Sequence, residues 1–268
     1  MKTVLAIRAS GKINNGCTKP YYISCDEDIY AVKFKENPQG LRVLINEYIC
    51  AEIAAIIELP LPSPALIRVS EDFVRDNKQE LSIHLGVEIT PGIHFGTKKV
   101  KKAYPITDPD MLKFAKNINI IPDIILFDQL VCNRDRDSNG GNLLFDPIKK
   151  EIVVIDHTHV FDLGSIWTST DLDQRIGQQF TAFDSSGYVY RKLVPFVRGN
   201  NPFHASLDRM ARLKASDLWN IINGIPIEWE VTIQEKNSLN KYIWDRLTRI
   251  KECLPVLKPE FPFWKGGI

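Results

Sequence analysis

The chain has 268 residues, which suits one large domain or two small lobes, and a chain of this size buries roughly 75% of its unfolded surface. Hydrophobic residues at 44% and charged residues at 25% are ordinary globular values and exclude bulk disorder. Lys+Arg 34 against Asp+Glu 33 leaves a net charge of +1, which argues against a dedicated nucleic-acid coat or a polybasic membrane protein.

Residues 4–9 are apolar and strand-like, with Arg8 cutting the run too early for a signal-peptide core. No apolar stretch approaches the ~18–20 residues of a membrane span, so no membrane partner is expected. Residues 21–24 offer a second strand. Ile29-Tyr30-Ala31-Val32-Lys33-Phe34 is a clear third, rich in β-branched and aromatic residues. Asn37-Pro38-Gln39-Gly40 breaks the chain. Residues 41–59 then read as a helix, stopped by Pro60, Pro62 and Pro64. Only Arg42, Asn46, Glu47, Glu52 and Glu58 interrupt its apolar surface. Such a helix is covered on more than one side, and its glutamates need partners.

From about residue 108 the pattern turns helical. Residues 111–117 and 121–132 are predicted helices, with Pro122 in a first turn, and 205–223 and 233–253 are amphipathic. A strand-rich lobe over 1–100 and a mostly helical lobe over 101–268 make an α+β, two-lobed chain. Five cysteines, odd in number and without a C-x-x-C pair, read as reduced thiols of a cytoplasmic protein.

The most informative stretch runs from Asn133 to His157. Residues 142–145 and 152–155 are short apolar runs flanking a polar, Pro-containing turn, which predicts a hairpin with Phe145 opposite Ile152 and Asn142 opposite Ile155. The loop 135–142 and Asp156 then meet at one end of the hairpin. Carboxylates and an amide gathered there suit a hard cation such as Mg²⁺. The same composition also describes a solvated Asp/Asn/Gly loop.

Other readings compete. Asp135, Asp137, Asn139, Gly140 and Asp146 match the spacing of a calcium-binding loop, but Asn142 stands where an apolar residue belongs and Pro147 precludes an exit helix. Residues 11–18 have P-loop spacing, yet Cys17 replaces the essential lysine, leaving a Gly-containing loop that is either a plain β-turn or a cover for phosphates. Lys33, flanked by apolar residues, either snorkels to the rim or serves an anion. His157 and His159 alternate along a predicted strand and face opposite sides. Lys98, Lys99, Lys101 and Lys102 form a basic cluster that reads as a solvated loop; nucleic acid is not indicated.

Taken together, Tyr30-Ala31-Val32-Lys33-Phe34, Asn46-Glu47-Tyr48, residues 127–136, residues 139–144 and Val154-Ile155-Asp156-His157 resemble the HipA-like kinases. That family is a bacterial branch of the protein-kinase superfold, related in its site to phosphatidylinositol kinases. The resemblance covers residues 4–165. It implies a bilobal protein-kinase-like fold, with a nucleotide-binding lobe (1–100) of antiparallel sheet plus one long helix, and a catalytic lobe (101–268) carrying the hairpin.

It also implies roles. Lys33 would contact the α/β-phosphates of ATP, held by Glu47 with Glu52 as the spare. Asp135 would be the catalytic base, and Asn142 and Asp156 would hold Mg²⁺. Gly11, Gly16 and Thr18 of the first loop, with Asn139, would contact the nucleotide. The implied acceptor is a protein Ser/Thr hydroxyl, with room for a regulatory protein partner. Three features depart from the usual kinase pattern. Asn142 follows Asp135 by seven residues where five is common, while Asp137 stands five before Asn142 and Asn139 four after Asp135. Thr158 stands where a glycine commonly follows, and the first loop lacks G-x-G-x-x-G. Two readings stay beside an active kinase: an ATP-binding pseudokinase or regulatory module, and a calcium-stabilised interaction domain.

Overall fold

β-Branched and aromatic residues recur along five strands within the first hundred residues, and these strands close into a barrel. The structure, a computed structural model, describes residues 1–267 apart from 27, 137–141, 182–186 and 188. The barrel strands are β1 (Lys2–Lys12), β2 (Tyr21–Cys25), β3 (Asp28–Lys33), β4 (Pro64–Val69) and β5 (Gly92–Lys98), in the order β1-β2-β3-β5-β4. Inward side chains such as Val4, Ala6, Tyr21, Ile23, Tyr30, Val32 and Ile67 form its core.

Two details correct the expected antiparallel lobe with one long helix. β1 runs parallel to β4, with Lys2 opposite Ala65 and Leu5 opposite Arg68, and this pairing closes the barrel. The chain reaches β4 only after helix α1 (Arg42–Ile56), the kind of crossover that parallel neighbours require. A second helix of equal length, α2 (Glu71–Leu85), follows β4. Its start is capped by Ser70, whose hydroxyl accepts the Phe73 N–H at 3.1 Å, and its end by Gly86 at φ +82°. Only Phe73, Leu81 and Leu85 are buried, so its apolar stripe is narrow and the caps carry the signal.

β5 also contains a fully buried histidine. His94 Nδ1 accepts the Lys35 N–H at 3.0 Å, and burial, aided by the nearby Lys35 charge, pushes its pKa down to about 3. The unfolded chain takes up this proton near pH 6.5 and the native chain does not, so stability falls as pH drops below about 6.5. From pH 7 to pH 5 the expected loss through His94 is about 2 kcal/mol. Urea unfolding at both pH values should show that His94→Asn weakens the dependence by that amount; an identical dependence in both proteins would refute it.

Beyond the barrel, β6 (Tyr104–Pro105), β7 (Leu143–Asp146) and β8 (Glu151–Val154) form a small sheet. The predicted hairpin register is observed: Phe145 lies opposite Ile152, and Ile155 N–H donates to the Asn142 carbonyl at 3.2 Å. The helices are α3 (Pro109–Leu112), α4 (Ile121–Val131), α5 (Ser169–Arg175), α6 (Tyr190–Leu193), α7 (His204–Met210), α8 (Ala215–Asn223), α9 (Ile233–Thr248) and α10 (Cys253–Leu257).

Three predicted helices are revised. The segment 111–117 is helical only as far as Leu112. Asn117 instead bridges to β8, donating to the Ile152 carbonyl at 3.0 Å and accepting its N–H at 2.8 Å. Residues 205–223 divide into α7 and α8, and 233–253 ends as a helix at Thr248. A large core runs from α1 through α4 to α9, so α1 packs with the helical part of the chain as much as with the barrel. Among the described residues no helix is long and apolar enough to cross a membrane, and all five cysteines are free.

Candidate active site

β3 ends at Lys33, and its side chain reaches into the cleft between the barrel and the hairpin. There the ammonium donates to Glu47 of α1, to Asp156 Oδ1 at 3.1 Å and to Thr158 Oγ1 at 2.7 Å. Glu47 is buried because α1 is apolar on nearly every side, and Lys33 is the partner its position demands. Glu52, the spare candidate, faces elsewhere and pairs with the Met1 amino group at 3.2 Å. Glu47, not Glu52, holds the lysine.

Charge in this cluster is set by mutual compensation. Burial alone would lower the Lys33 pKa, but the Asp156 and Glu47 carboxylates outweigh it and raise the group above the ordinary lysine range. Burial would raise Asp156, yet Lys33 and Thr158 hold it well below the usual carboxylate range. For Glu47 burial dominates and pushes the carboxyl up against the pull of Lys33. Asp156 is the carboxylate most open to the cleft, its side chain 25% exposed against 6% for Glu47.

The hairpin supplies the opposite wall. β8 stops at Val154, and Asp156 takes a left-handed φ of +61°, which turns its carboxylate toward Lys33. The expected strand through His157 and His159 is therefore absent. His157 is buried against Arg136, and its own N–H donates to Glu47 at 3.2 Å. His159 lies beside Gln39 instead. Burial and the Arg136 charge hold His157 well below its ordinary pKa, hence neutral. Asn142 directs its Nδ2 to Asp135 Oδ2 at 3.2 Å, leaving its Oδ1 as the oxygen available to a cation.

A buried brace fixes this geometry. Arg136, wholly inaccessible, donates to Asp128 at 2.5 Å, to the Asn142 carbonyl at 2.9 Å and to the Ile155 carbonyl at 3.1 Å. Asp128 also accepts from Asn133 Nδ2 at 3.0 Å and the Tyr190 hydroxyl at 2.8 Å. The roles of Arg136, Asp128 and Thr158 are not readable from spacing. Their signal is a carboxylate in a mostly apolar helix, Asp128 in α4, which requires a buried counter-charge; Asp123 in the same helix has its own in Arg209.

The cleft has a volume of about 710 Å³, within the range of small-molecule sites. Ala31, Leu61, Phe95, Leu144 and Val154 line an apolar part, and Lys33, Glu47, Asn142 and Asp156 a polar end. Gly16 and Thr18 line it from the first loop, whereas Gly11 lies in β1 opposite Tyr22, outside the lining. Asn139, with Asp137 and Gly140, falls outside the described residues. Lys98 pairs with Asp28 at 2.7 Å and Lys99 sits 4.0 Å over the Tyr22 ring; both border the cleft, while Lys101 and Lys102 are exposed.

Calcium ligation by Asp146 does not fit. Its carboxylate caps the hairpin turn, accepting from the N–H groups of Ile148 and Lys149 at 2.8 and 3.1 Å. An extended strand separates it from Asn142, about 13 Å at ~3.3 Å per residue. Among the described residues no three His, Cys, Asp or Glu side chains cluster as a metal cage. Asn142 and Asp156 both line the cleft and both carry side-chain oxygens, the donor type that a hard cation such as Mg²⁺ takes together with substrate phosphates.

A family model described as HipA-like kinase matches residues 6–265. No curated protein matches the chain. The crystal structure of the Helicobacter pylori proinflammatory kinase CtkA aligns over 96% of this chain and 98% of its own, with a TM-score of 0.55 at 15% identity. Two structures of the Golgi casein kinase, one with Mn/ADP bound, align at 9% identity with TM-scores of 0.47 and 0.49. They cover 94% and 99% of this chain and 74% and 78% of theirs. The CtkA likeness identifies a kinase-like fold.

Proposed function

The chain belongs to the HipA-like kinase family, and we propose that it is an ATP- and Mg²⁺-dependent kinase that transfers the γ-phosphoryl group to a protein Ser/Thr hydroxyl. Residues 1–100 would act as the nucleotide-binding lobe and 101–268 as the catalytic lobe. The observation that carries this reading is Lys33, braced by Glu47 and 3.1 Å from Asp156, at the polar end of a nucleotide-sized cleft.

In this reading the apolar part of the cleft takes the base, Lys33 meets the α/β-phosphates, and Gly16 and Thr18 cover them. Asn142 Oδ1 and Asp156 would hold Mg²⁺, which supplies charge neutralisation across the phosphates. Asp135, steadied by Asn142, accepts the acceptor hydroxyl's proton and aligns that oxygen for in-line attack. Five free thiols support a reducing, cytoplasmic setting.

Calorimetry tests the first step. Wild-type protein should bind Mg·ATP, and Asp156→Asn should weaken that binding by about tenfold, ~1.4 kcal/mol, while binding in EDTA stays unchanged. A wild-type protein with no Mg·ATP affinity ends the kinase reading. Binding without phosphate turnover or autophosphorylation would assign the chain to the pseudokinases.

A further inference from the structure

Lys33 has three N–H donors and all three are engaged internally, by Glu47, Asp156 and Thr158. Of these partners, Asp156 is the open one, its side chain 25% exposed, so its bond is the one that nucleotide phosphates can replace. The other two N–H groups stay fixed. Thr158 and Glu47 together therefore decide which way the released N–H points.

Thr158 is built for that purpose. A hydroxyl has one proton to give and lone pairs to receive. Thr158 Oγ1 gives its proton to Glu47 at 3.1 Å and receives one from Lys33 at 2.7 Å. Its N–H donates to Asp156 Oδ1 at 3.2 Å, and its carbonyl accepts from Asn46 Nδ2 at 2.7 Å. The residue is 2% exposed, and β-branching restricts χ1, so the hydroxyl holds one orientation. A glycine here would leave one ammonium N–H unheld and free the backbone after Asp156.

We propose that Thr158 is a positioning residue for phosphoryl transfer: its hydroxyl orients the Lys33 ammonium so that the N–H now on Asp156 is presented to the nucleotide phosphates. The proposal rests on the kinase reading above. Its expected signature is a change in turnover without a change in nucleotide affinity, because Thr158 lies behind the lysine and not against the nucleotide.

The test compares full-length wild type with Thr158→Val, Thr158→Ala and Thr158→Ser, measuring kcat for phosphoryl transfer and Kd for Mg·ATP. Val and Ala should lower kcat by roughly ten- to a hundredfold, the cost of a slightly misplaced group. Their Kd should stay within about threefold of wild type, as expected of an interaction that acts on the chemical step. Ser should restore both values to within about twofold. If the Val variant does not fold, the Ala and Ser pair decides. Wild-type kcat in the folded Val or Ala variants overturns the inference alone, as does a Kd that rises in step with falling kcat or a Ser variant as slow as Ala. A wild-type chain that binds no Mg·ATP overturns the kinase reading and this inference with it.

Discussion

Asp135→Asn should leave Mg·ATP affinity within about twofold and lower phosphoryl transfer by roughly 10²–10⁴-fold, the range expected when a general base is removed. The substitution keeps size and shape. It retains an oxygen for the 3.2 Å contact from Asn142 Nδ2 and the Asp135 N–H bond to Asn133 Oδ1, so the loop need not move. What disappears is the negative charge that receives the acceptor proton. Single-turnover transfer measured beside equilibrium binding separates the two effects. Asp137→Asn is the matched control, because Asp137 stands five residues before Asn142 and competes for the same role. Transfer abolished in the Asp137 variant and retained in the Asp135 variant would move the base to Asp137.

Asp128→Ala should cost about 3–5 kcal/mol of stability, the usual penalty for stranding one member of a buried ion pair. Asp128 and Arg136 are both fully inaccessible. Without the carboxylate, Arg136 remains charged in the core, and Asn133 and Tyr190 lose an acceptor. The damage reaches the site, since Arg136 also ties the Asn142 and Ile155 carbonyls together. Urea unfolding should show a lower midpoint at unchanged slope. The double variant Asp128→Leu/Arg136→Met should recover part of the loss, because it removes both charges. A single-variant loss below about 1 kcal/mol would mean that water or another group compensates Arg136.

How much of this was readable in advance depended on how local the cause was. The hairpin register follows from two short apolar runs and a turn, and it holds residue for residue from 143 to 154. The Lys33 strand and the mostly apolar helix after it are likewise local signals, and they place Lys33 and Glu47 in contact. Barrel closure depends on β1 meeting β4 some sixty residues later, a pairing that no local pattern encodes. The periodicity of 205–223 ran through the break at 211–214 because no Gly or Pro marks it. Asn117 left the predicted helix for a two-way bond with Ile152, a tertiary contact overriding propensity. At the site, the left-handed Asp156 replaced an expected strand, and the consequence was that Thr158 turned inward onto Lys33.

Helix α1 is fastened to the second half of the molecule over two successive turns. Arg42 pairs with Glu235 and stacks 4.3 Å from the Trp167 ring; Asn46 binds the carbonyls of Thr158 and Gly164 and receives the Trp167 indole N–H. Tyr48 packs edge-on against Trp229, whose indole donates to the Ile93 carbonyl at 2.8 Å. Swinging this helix outward would uncover Ile45, Ile49 and Ile53, at about 1.5–3 kcal/mol for each side chain. That total exceeds the ~1–3 kcal/mol through which an effector ordinarily couples to a distant site. Outward displacement of this helix is therefore a costlier way to silence the site than filling the mouth of the cleft, where no buried side chain has to be uncovered.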